Sequence, residues 1–234
     1  MTGSKVMIIT GATSGIGKGA AFEMAKRKWR LVLTGRNAEA MKEVVDECKQ
    51  HGASEVTYVL GDLTEPSTAK KIVEHAISTF GQIDSLVNNA GMLVLGTLEE
   101  ARDDLDDFDR QIDGNSGSSV CGTNAIPESF YYCMSKAALD QFTKCLAMEL
   151  APKGVRVNSV NPGVIYSEIQ RRSGITEDTY QAYLKRSEFT HPLGRVGNPE
   201  ETAKAIAFLA TEDSSFTTGE LLKVDGGRAV MTVC

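Results

Sequence analysis

Three histidines, one tryptophan and five cysteines are all that 234 residues provide, and none stands where metal or disulfide chemistry needs it. Cys48, Cys121, Cys133, Cys145 and Cys234 are odd in number and scattered, with no CxxC pair and no histidine at ligand spacing, so neither a disulfide framework nor a metal site is expected. They read as reduced thiols, and the expected location is cytoplasmic. Long apolar runs are missing as well. None approaches the ~18 residues of a membrane span, and Met1–Lys5 leads into a strand-like run without the apolar core of a signal peptide. Nor is there an excess of base. A net charge of -6 gives no electrostatic case for nucleic acid or anionic membrane. Repeats, low-complexity tracts and Pro/Gly-rich linkers are absent, so nothing divides the chain. With 41% apolar and 24% charged residues, 1–234 reads as one α/β domain.

What is present alternates. Strand-like apolar runs fall at Val6–Ile9, Leu31–Leu33, Val56–Leu60, Ser85–Asn88, Val155–Val160 and Leu221–Val224, with helical periodicity near 16–27, 38–51, 66–80, 130–151 and 199–210. Strands alternating with helices predict a doubly wound parallel sheet covered on both faces. The acidic stretch from Glu99 to Asp107 reads as a solvated helix face.

The first strand runs directly into Thr10-Gly-Ala-Thr-Ser-Gly-Ile-Gly17 and then the helical pattern Ala20-Ala21-Phe22-Met24-Ala25. Strand, glycine turn and helix in that order suit a dinucleotide, because glycines let the backbone approach a pyrophosphate and the helix N-terminus offers N–H groups to it. Further on, Tyr132 and Lys136 share one helix face at i and i+4, where an ammonium favours the phenolate of a tyrosine that otherwise ionises near pH ~10. Tyr131 is also a phenol, but only Tyr132 has lysine at i+4. Ser118 and Ser119 precede it closely.

With Gly61-Asp-Leu63, Asn88-Asn-Ala-Gly91, Asn161-Pro-Gly163 and Val224-Asp-Gly-Gly227, these motifs resemble the short-chain dehydrogenase/reductases from Val6 to about Gly227. The resemblance implies a Rossmann-like doubly wound sheet and an oxidoreductase moving a hydride between a nicotinamide cofactor and a carbonyl or secondary alcohol. It implies catalytic roles for Ser119, Tyr132, Lys136 and Asn115. Cofactor contacts are implied at Thr10, Gly11, Ser14, Gly15, Ile16 and Gly17, at Arg36, Asp62 and Leu63, and at Asn89, Ala90 and Gly91. Tyr132, Lys136, Pro162, Gly163, Ile165 and Ser167 complete the set, and Val224–Gly227 looks structural. Met92-Leu93-Val94 and the segment from Val164 to Phe189, which resembles the family's substrate lid with Tyr166, Tyr180 and Tyr183, would line an apolar substrate pocket.

Cofactor choice turns on the end of the second strand. An NAD site places a carboxylate there for the ribose 2′-hydroxyl, whereas an NADP site supplies arginine for the 2′-phosphate. Here Gly35 and Arg36 occupy the place, so NADP(H) is expected. An exposed arginine at a strand end is the plainer reading of Arg36, and the missing acid tips the balance. Lys18 reads as a solvated helix lysine.

One departure from the family is large. Its members follow the residue matching Asn115 with a long helix and a central strand that leads to the serine. Only Ser116 and Gly117 lie between Asn115 and Ser118 here, too few for a crossover of at least ~10–12 residues. One helix and one central strand are therefore expected to be missing, and with the helix a family-type homo-oligomer contact. Pairing of 113–118 or of Val120-Cys121-Gly122 with the exposed edge is the conceivable repair. An alternative function follows: a shortened form that keeps nucleotide binding, or acts as an interaction protein, without turnover. A lyase or epimerase on the same scaffold fits the spacings less well.

Overall fold

The computed structural model describes residues 4–93, 106–124, 126, 129–167, 169 and 174–231. Strands β1 (Val6–Ile9), β2 (Arg30–Gly35), β3 (Glu55–Leu60) and β4 (Ser85–Val87) form a parallel sheet in the order β3-β2-β1-β4. Val6 lies opposite Arg30, Leu31 opposite Val56 and Met7 opposite Ser85. Helices α1 (Gly15–Lys26), α2 (Ala38–Gln50) and α3 (Pro66–Phe80) supply the crossovers. β1 is apolar throughout because both its faces are covered. Met7, Ile9, Leu31 and Leu33 pack against Ala20, Met24 and Val44 of α1 and α2. Val6, Ile8 and Val32 pack against Ile72, Ala76 and Phe80 of α3. Each such side chain contributes about 1.5–3 kcal/mol on burial.

Local sequence sets the helix ends. The Asn37 side chain accepts the N–H groups of Glu39 and Ala40, starting α2 immediately after the carboxyl end of β2. Pro66 opens α3 and Gly81, with φ 77°, closes it.

The second half contributes α4 (Asp106–Asp113), α5 (Phe130–Leu150), β5 (Ser159–Pro162), α6 (Glu177–Phe189), α7 (Pro199–Ala210) and β6 (Leu221–Val224). β5 and β6 pair in parallel as a sheet of their own. Ala203 and Ala207 of α7 join the core beneath α1. A Cβ on Gly19 would lie 3.4 Å from that of Ala203, so the two helices meet almost backbone to backbone. No described helix is long and apolar enough to cross a membrane.

Most expected elements lie where the periodicity puts them, with three differences. The strand expected over Val155–Val160 starts only at Ser159. Arg156 turns inward and donates to the carbonyls of Leu209, Thr211 and Thr217 and to the Ser214 hydroxyl, which holds the preceding residues as a loop. Residues 177–189, read from sequence only as part of a lid segment, form a helix whose Thr176 cap accepts the N–H of Thr179. Of the acidic stretch, residues 99–105 lie outside the described residues, and Asp106 begins α4.

Among the described residues β4 pairs with β1 alone and β5 with β6 alone, and residues of both strands, Leu86 and Val160 among them, line one opening between the two sheets. Neither conceivable repair pairs with the edge. Val120–Gly122 forms a 3-10 turn, and Ser116 bonds through its N–H and its hydroxyl to the carbonyl of Ala90, beyond the end of β4. Leu86 on β4 is left 53% exposed, which a central strand would not allow.

Candidate active site

One cleft of about 1230 Å³ starts at the turn after β1, passes Tyr132 and continues into the gap between β4 and β5. Its first part lies at the carboxyl ends of the strands, where open parallel sheets bind ligands. Every site residue expected from sequence lines this cleft except Thr10 and Gly17. Those two stand behind its wall. The Thr10 hydroxyl accepts the N–H groups of Asn89 and Ala90 at 2.9 and 3.0 Å, stitching the ends of β1 and β4 together. Gly17 sits where a Cβ would come within 2.4 Å of the Gly11 carbonyl oxygen and the Asn89 amide. That amide in turn donates to the carbonyls of Thr10 and Gly11.

The first bond within α1 is from Lys18 N–H to the Ser14 carbonyl, so the N–H groups of Gly15 and Ile16 have no acceptor inside the helix. A helix start of this kind, opening on a glycine-walled cleft, fits the pyrophosphate of a dinucleotide. Lys18 takes no part. It bonds to Glu47 at 2.9 Å and lies over the Phe22 ring, on the side of α2. At the far end Arg36 is 72% exposed and pairs with Asp62 at 3.2 Å. Asp62 also accepts the N–H and hydroxyl of Thr64, and these bonds first, then Arg36, hold its carboxyl below the usual range.

Around Tyr132 the geometry is denser. Lys136 is 3% exposed, and its ammonium donates to Asn115 Oδ1 at 2.7 Å and to the Gly117 carbonyl. Asn115 is fixed in turn by its own amide on the Gln111 carbonyl at 2.8 Å. The ammonium lies 4.8 Å from the centroid of the Tyr132 ring, over its face. Ser119 hydrogen-bonds to the Tyr132 phenol. Here the structure corrects an expectation. Burial, and then the neighbouring Cys121, push the phenol above its ordinary value, and the Ser119 bond only partly offsets them. The lysine charge goes into carbonyl oxygens and the ring face, so Tyr132 stays protonated.

Burial brings Lys136 down to about 7. An unfolded lysine keeps its proton to about 10.4, so between roughly pH 7 and 10 the unfolded chain binds more protons and stability rises with pH. Below about 7 both states are charged and that gain is absent. The thiol of Cys133, lowered to about 6 chiefly by its bond from Cys121, acts with the same sign. The melting temperature should therefore climb from pH 7 to 9, and Lys136→Met should flatten the climb. An unchanged slope in the variant would remove Lys136 as its source.

Two residues of the site, Asp140 and His191, carried no motif signal. Asp140 accepts the Asn161 amide at 2.9 and 3.0 Å and a bond from Ser118, and that amide also reaches the Ser119 carbonyl at 3.2 Å. This buried network seats Ser119 without a strand. His191, 3% exposed, accepts the Val164 N–H at 3.1 Å on Nε2 while Nδ1 donates to the Ser187 carbonyl, tying α6 to the segment after β5. Tyr180, expected in the pocket, is instead fully buried and donates to the Ser167 carbonyl at 3.0 Å. Asp225 caps its own turn by accepting the N–H groups of Gly227 and Ala229, in keeping with a structural role. Met92 lines the cleft, and Val94 lies outside the described residues.

Residues 5–118 match the model of the short chain dehydrogenase family, and residues 116–229 match that described as enoyl-(acyl carrier protein) reductase. An uncharacterized oxidoreductase of Thermotoga maritima is 34% identical over 97% of this chain and 98% of its own. That alignment spans 251 positions against the 234 residues present here, so the relative has residues with no counterpart in this chain. Cyclohexanol dehydrogenase of an Acinetobacter species is 34% identical over 95% of this chain and 94% of its own. Among solved structures, YwfH, an NADPH-dependent reductase of bacilysin biosynthesis, superimposes with a TM-score of 0.88 at 25% identity over 99% of this chain and 100% of its own. The Rossmann sheet, the glycine turn and the Tyr132/Lys136 cleft thus stand in a chain that belongs to the short-chain dehydrogenase family of oxidoreductases.

Proposed function

We propose that the chain, as one unit from 1 to 234, reduces a carbonyl to a secondary alcohol with NADPH, or runs the reverse reaction. The observation that carries this reading is the convergence of Ser119, Tyr132, Lys136 and Asn115 on one cleft with the glycine turn. A bound nicotinamide cofactor supplies the hydride. The Ser119 hydroxyl holds the carbonyl oxygen, and the protonated Tyr132 phenol beside it donates a proton as charge develops there. Lys136, anchored by Asn115 and the Gly117 carbonyl, stabilises the phenolate left behind. Pro162, Gly163, Ile165 and Ser167, with Asn89, Ala90 and Gly91, line the cleft and would hold the nicotinamide end of the cofactor. The apolar lining that continues from Met92 suits a ketone or aldehyde with hydrocarbon around it.

Preference for NADPH rests on Gly35 and Arg36. A Cβ on Gly35 would stand 2.7 Å from the Thr13 side chain, so the carboxylate of an NAD site has no room there. Among the described residues Arg36 is held only by an exposed pair with Asp62, a contact weak enough to be exchanged for a phosphate. NADPH should bind more tightly than NADH by ~1.5–3 kcal/mol, roughly ten- to a hundredfold, and Arg36→Ala should erase the difference. Calorimetric titration is the suitable measurement. Trp29 sits at the amino end of β2, about 20 Å of strand from the cofactor edge. Equal affinities in the unaltered chain would remove Arg36 from this role.

A second reading is favoured by the gap between β4 and β5. A site whose cleft runs on into an unfilled strand position excludes water poorly, and catalytic groups tolerate little displacement. On that reading the chain binds nucleotide and turns over slowly or not at all. Cofactor binding without substrate-dependent NADPH oxidation across a panel of carbonyls would select it.

A further inference from the structure

The cleft does not end at the hydroxyl pair. Tyr132, Lys136, Leu139, Thr143, Leu146 and Leu150 recur at steps of four and three along α5, so they share one face of the helix, and all of them line the same cleft. From Tyr132 to Leu146 this stripe runs about 20 Å, at ~1.5 Å of rise per residue. It begins at the proposed proton donor and continues into the opening between β4 and β5. The other walls there are Leu86 of β4, Val160 of β5, and Ile206 and Leu209 of α7.

What this stretch can hold follows from its polar groups, which the protein already uses. The Thr143 hydroxyl donates to the Leu139 carbonyl at 2.9 Å, and the Ser159 hydroxyl bonds to Asn161 at 2.9 Å. Asn158 donates to the Thr217 carbonyl at 2.9 Å and accepts the Glu220 N–H at 3.1 Å. Arg156 is spent on carbonyls, Asp84 accepts the Val6 N–H at 2.7 Å, and Lys5 pairs with Glu212 at 2.6 Å. The open edges of β4 and β5, three and four residues long, add only a few backbone groups. A charged or polar segment placed there would lose water and gain no side-chain partner, whereas a hydrocarbon loses nothing.

We propose that the opening takes the unbranched hydrocarbon tail of the substrate, which is a long-chain aliphatic ketone or aldehyde whose carbonyl sits at Ser119 and Tyr132. Continuity fixes the occupant, because the opening belongs to the same cleft as the seat of the reacting carbonyl, and a tail bonded to that carbonyl enters it as part of one molecule. A stripe one helix face wide and many turns long favours a straight chain over a fused ring system. Such a tail also covers Leu86 and Phe142, which the chain alone leaves exposed. The placement of the carbonyl rests on the reductase reading; the hold on the tail does not.

The test is reduction of straight-chain methyl ketones, from butanone to decanone, by the full chain with NADPH, together with calorimetric titration of the same ketones. Both kcat/KM and affinity should rise about fourfold for each added methylene, as burial of ~0.8 kcal/mol per methylene requires. Leu139→Trp narrows the stripe about two turns beyond Tyr132, and it should lower the decanone-to-butanone ratio by about tenfold or more. Met148→Ser removes an 81% exposed apolar side chain from the same helix outside the cleft, and it should keep the ratio. An inserted strand that fills the opening should erase the gain with chain length, whatever it does to the turnover of butanone. Turnover that does not improve with length would overturn the tail site and leave the reductase reading standing. Affinity that rises with length in the unaltered chain and is flat in Leu139→Trp, without turnover of any ketone, would sustain the tail site and sink the reductase reading. A full rise in Leu139→Trp would overturn the placement along α5, and should that variant not fold, the series in the unaltered chain decides. Self-association of the chain with no gain from chain length would give the opening to a second copy and overturn the proposal.

Discussion

Tyr132→Phe should lower kcat for carbonyl reduction by about 10²–10⁴ and leave NADPH affinity within a factor of two or so. The ring survives, and with it the surface on which the Lys136 ammonium rests; only the proton donor is lost. Tyr131→Phe provides the contrast. Tyr131 is 6% exposed, and its ring packs against Phe130 with centroids 5.2 Å apart, so removing its hydroxyl perturbs packing and not proton transfer. Steady-state kinetics on both variants, with calorimetry for the cofactor, separates the two phenols. Near-unaltered kcat in Tyr132→Phe would sink the assignment of the proton donor.

The largest structural effect should come from restoring what lies between β4 and β5. Inserting a helix-plus-strand segment of the family type after Asn115 should raise both melting temperature and turnover. The gap leaves Leu86 53% and Phe142 58% exposed, and a strand seated there would cover them along with further apolar lining such as Leu146 and Val160. At about 1.5–3 kcal/mol for each large side chain buried, two or three of them give about 5 kcal/mol. For a chain of this length, at roughly 2–4 °C per kcal/mol, that is about 10–20 °C. Thermal melts and NADPH-oxidation assays on the two forms make the comparison. If the unaltered chain is the more stable and the more active of the two, the network of Asp140 and Asn161 has replaced the strand outright and the deletion reading falls.

The degree to which the site could be read from sequence follows the range of the interactions involved. The glycine turn, the Tyr132/Lys136 spacing and the Asn89–Gly91 floor are local patterns, each set by a few consecutive residues, and the structure brings them to one cleft. Thr10 was legible as part of a motif but not as a brace, because its hydroxyl is used by N–H groups almost eighty residues away. Asp140, Asn161 and His191 reach the site through partners 21 to 42 residues distant, and no spacing rule reaches that far. The sign of the Tyr132 shift was misjudged for a related reason. An i+4 lysine suggests a phenolate, but burial and the carbonyl acceptors of the ammonium are tertiary facts. The short connection, by contrast, is legible in the sequence, since only two residues stand between Asn115 and Ser118. Its consequence, two sheets with facing open edges, needed the fold.

The seam between α1 and α7 also bears on how the chain comes off the ribosome. The face of α1 at Gly19 has no covering side chain of its own, and its partner Ala203 follows only after the whole of the first sheet. By the time β1 to β4 have been made, that face is still bare, and at about 5–20 residues per second it stays so for some six to twenty-four seconds more. During this interval the nascent first half presents a strip of small residues backed by a finished sheet, with the second edge of β4 open beside it. Completion of this core thus waits for α7, and the half that carries the glycine turn waits for the half that closes it.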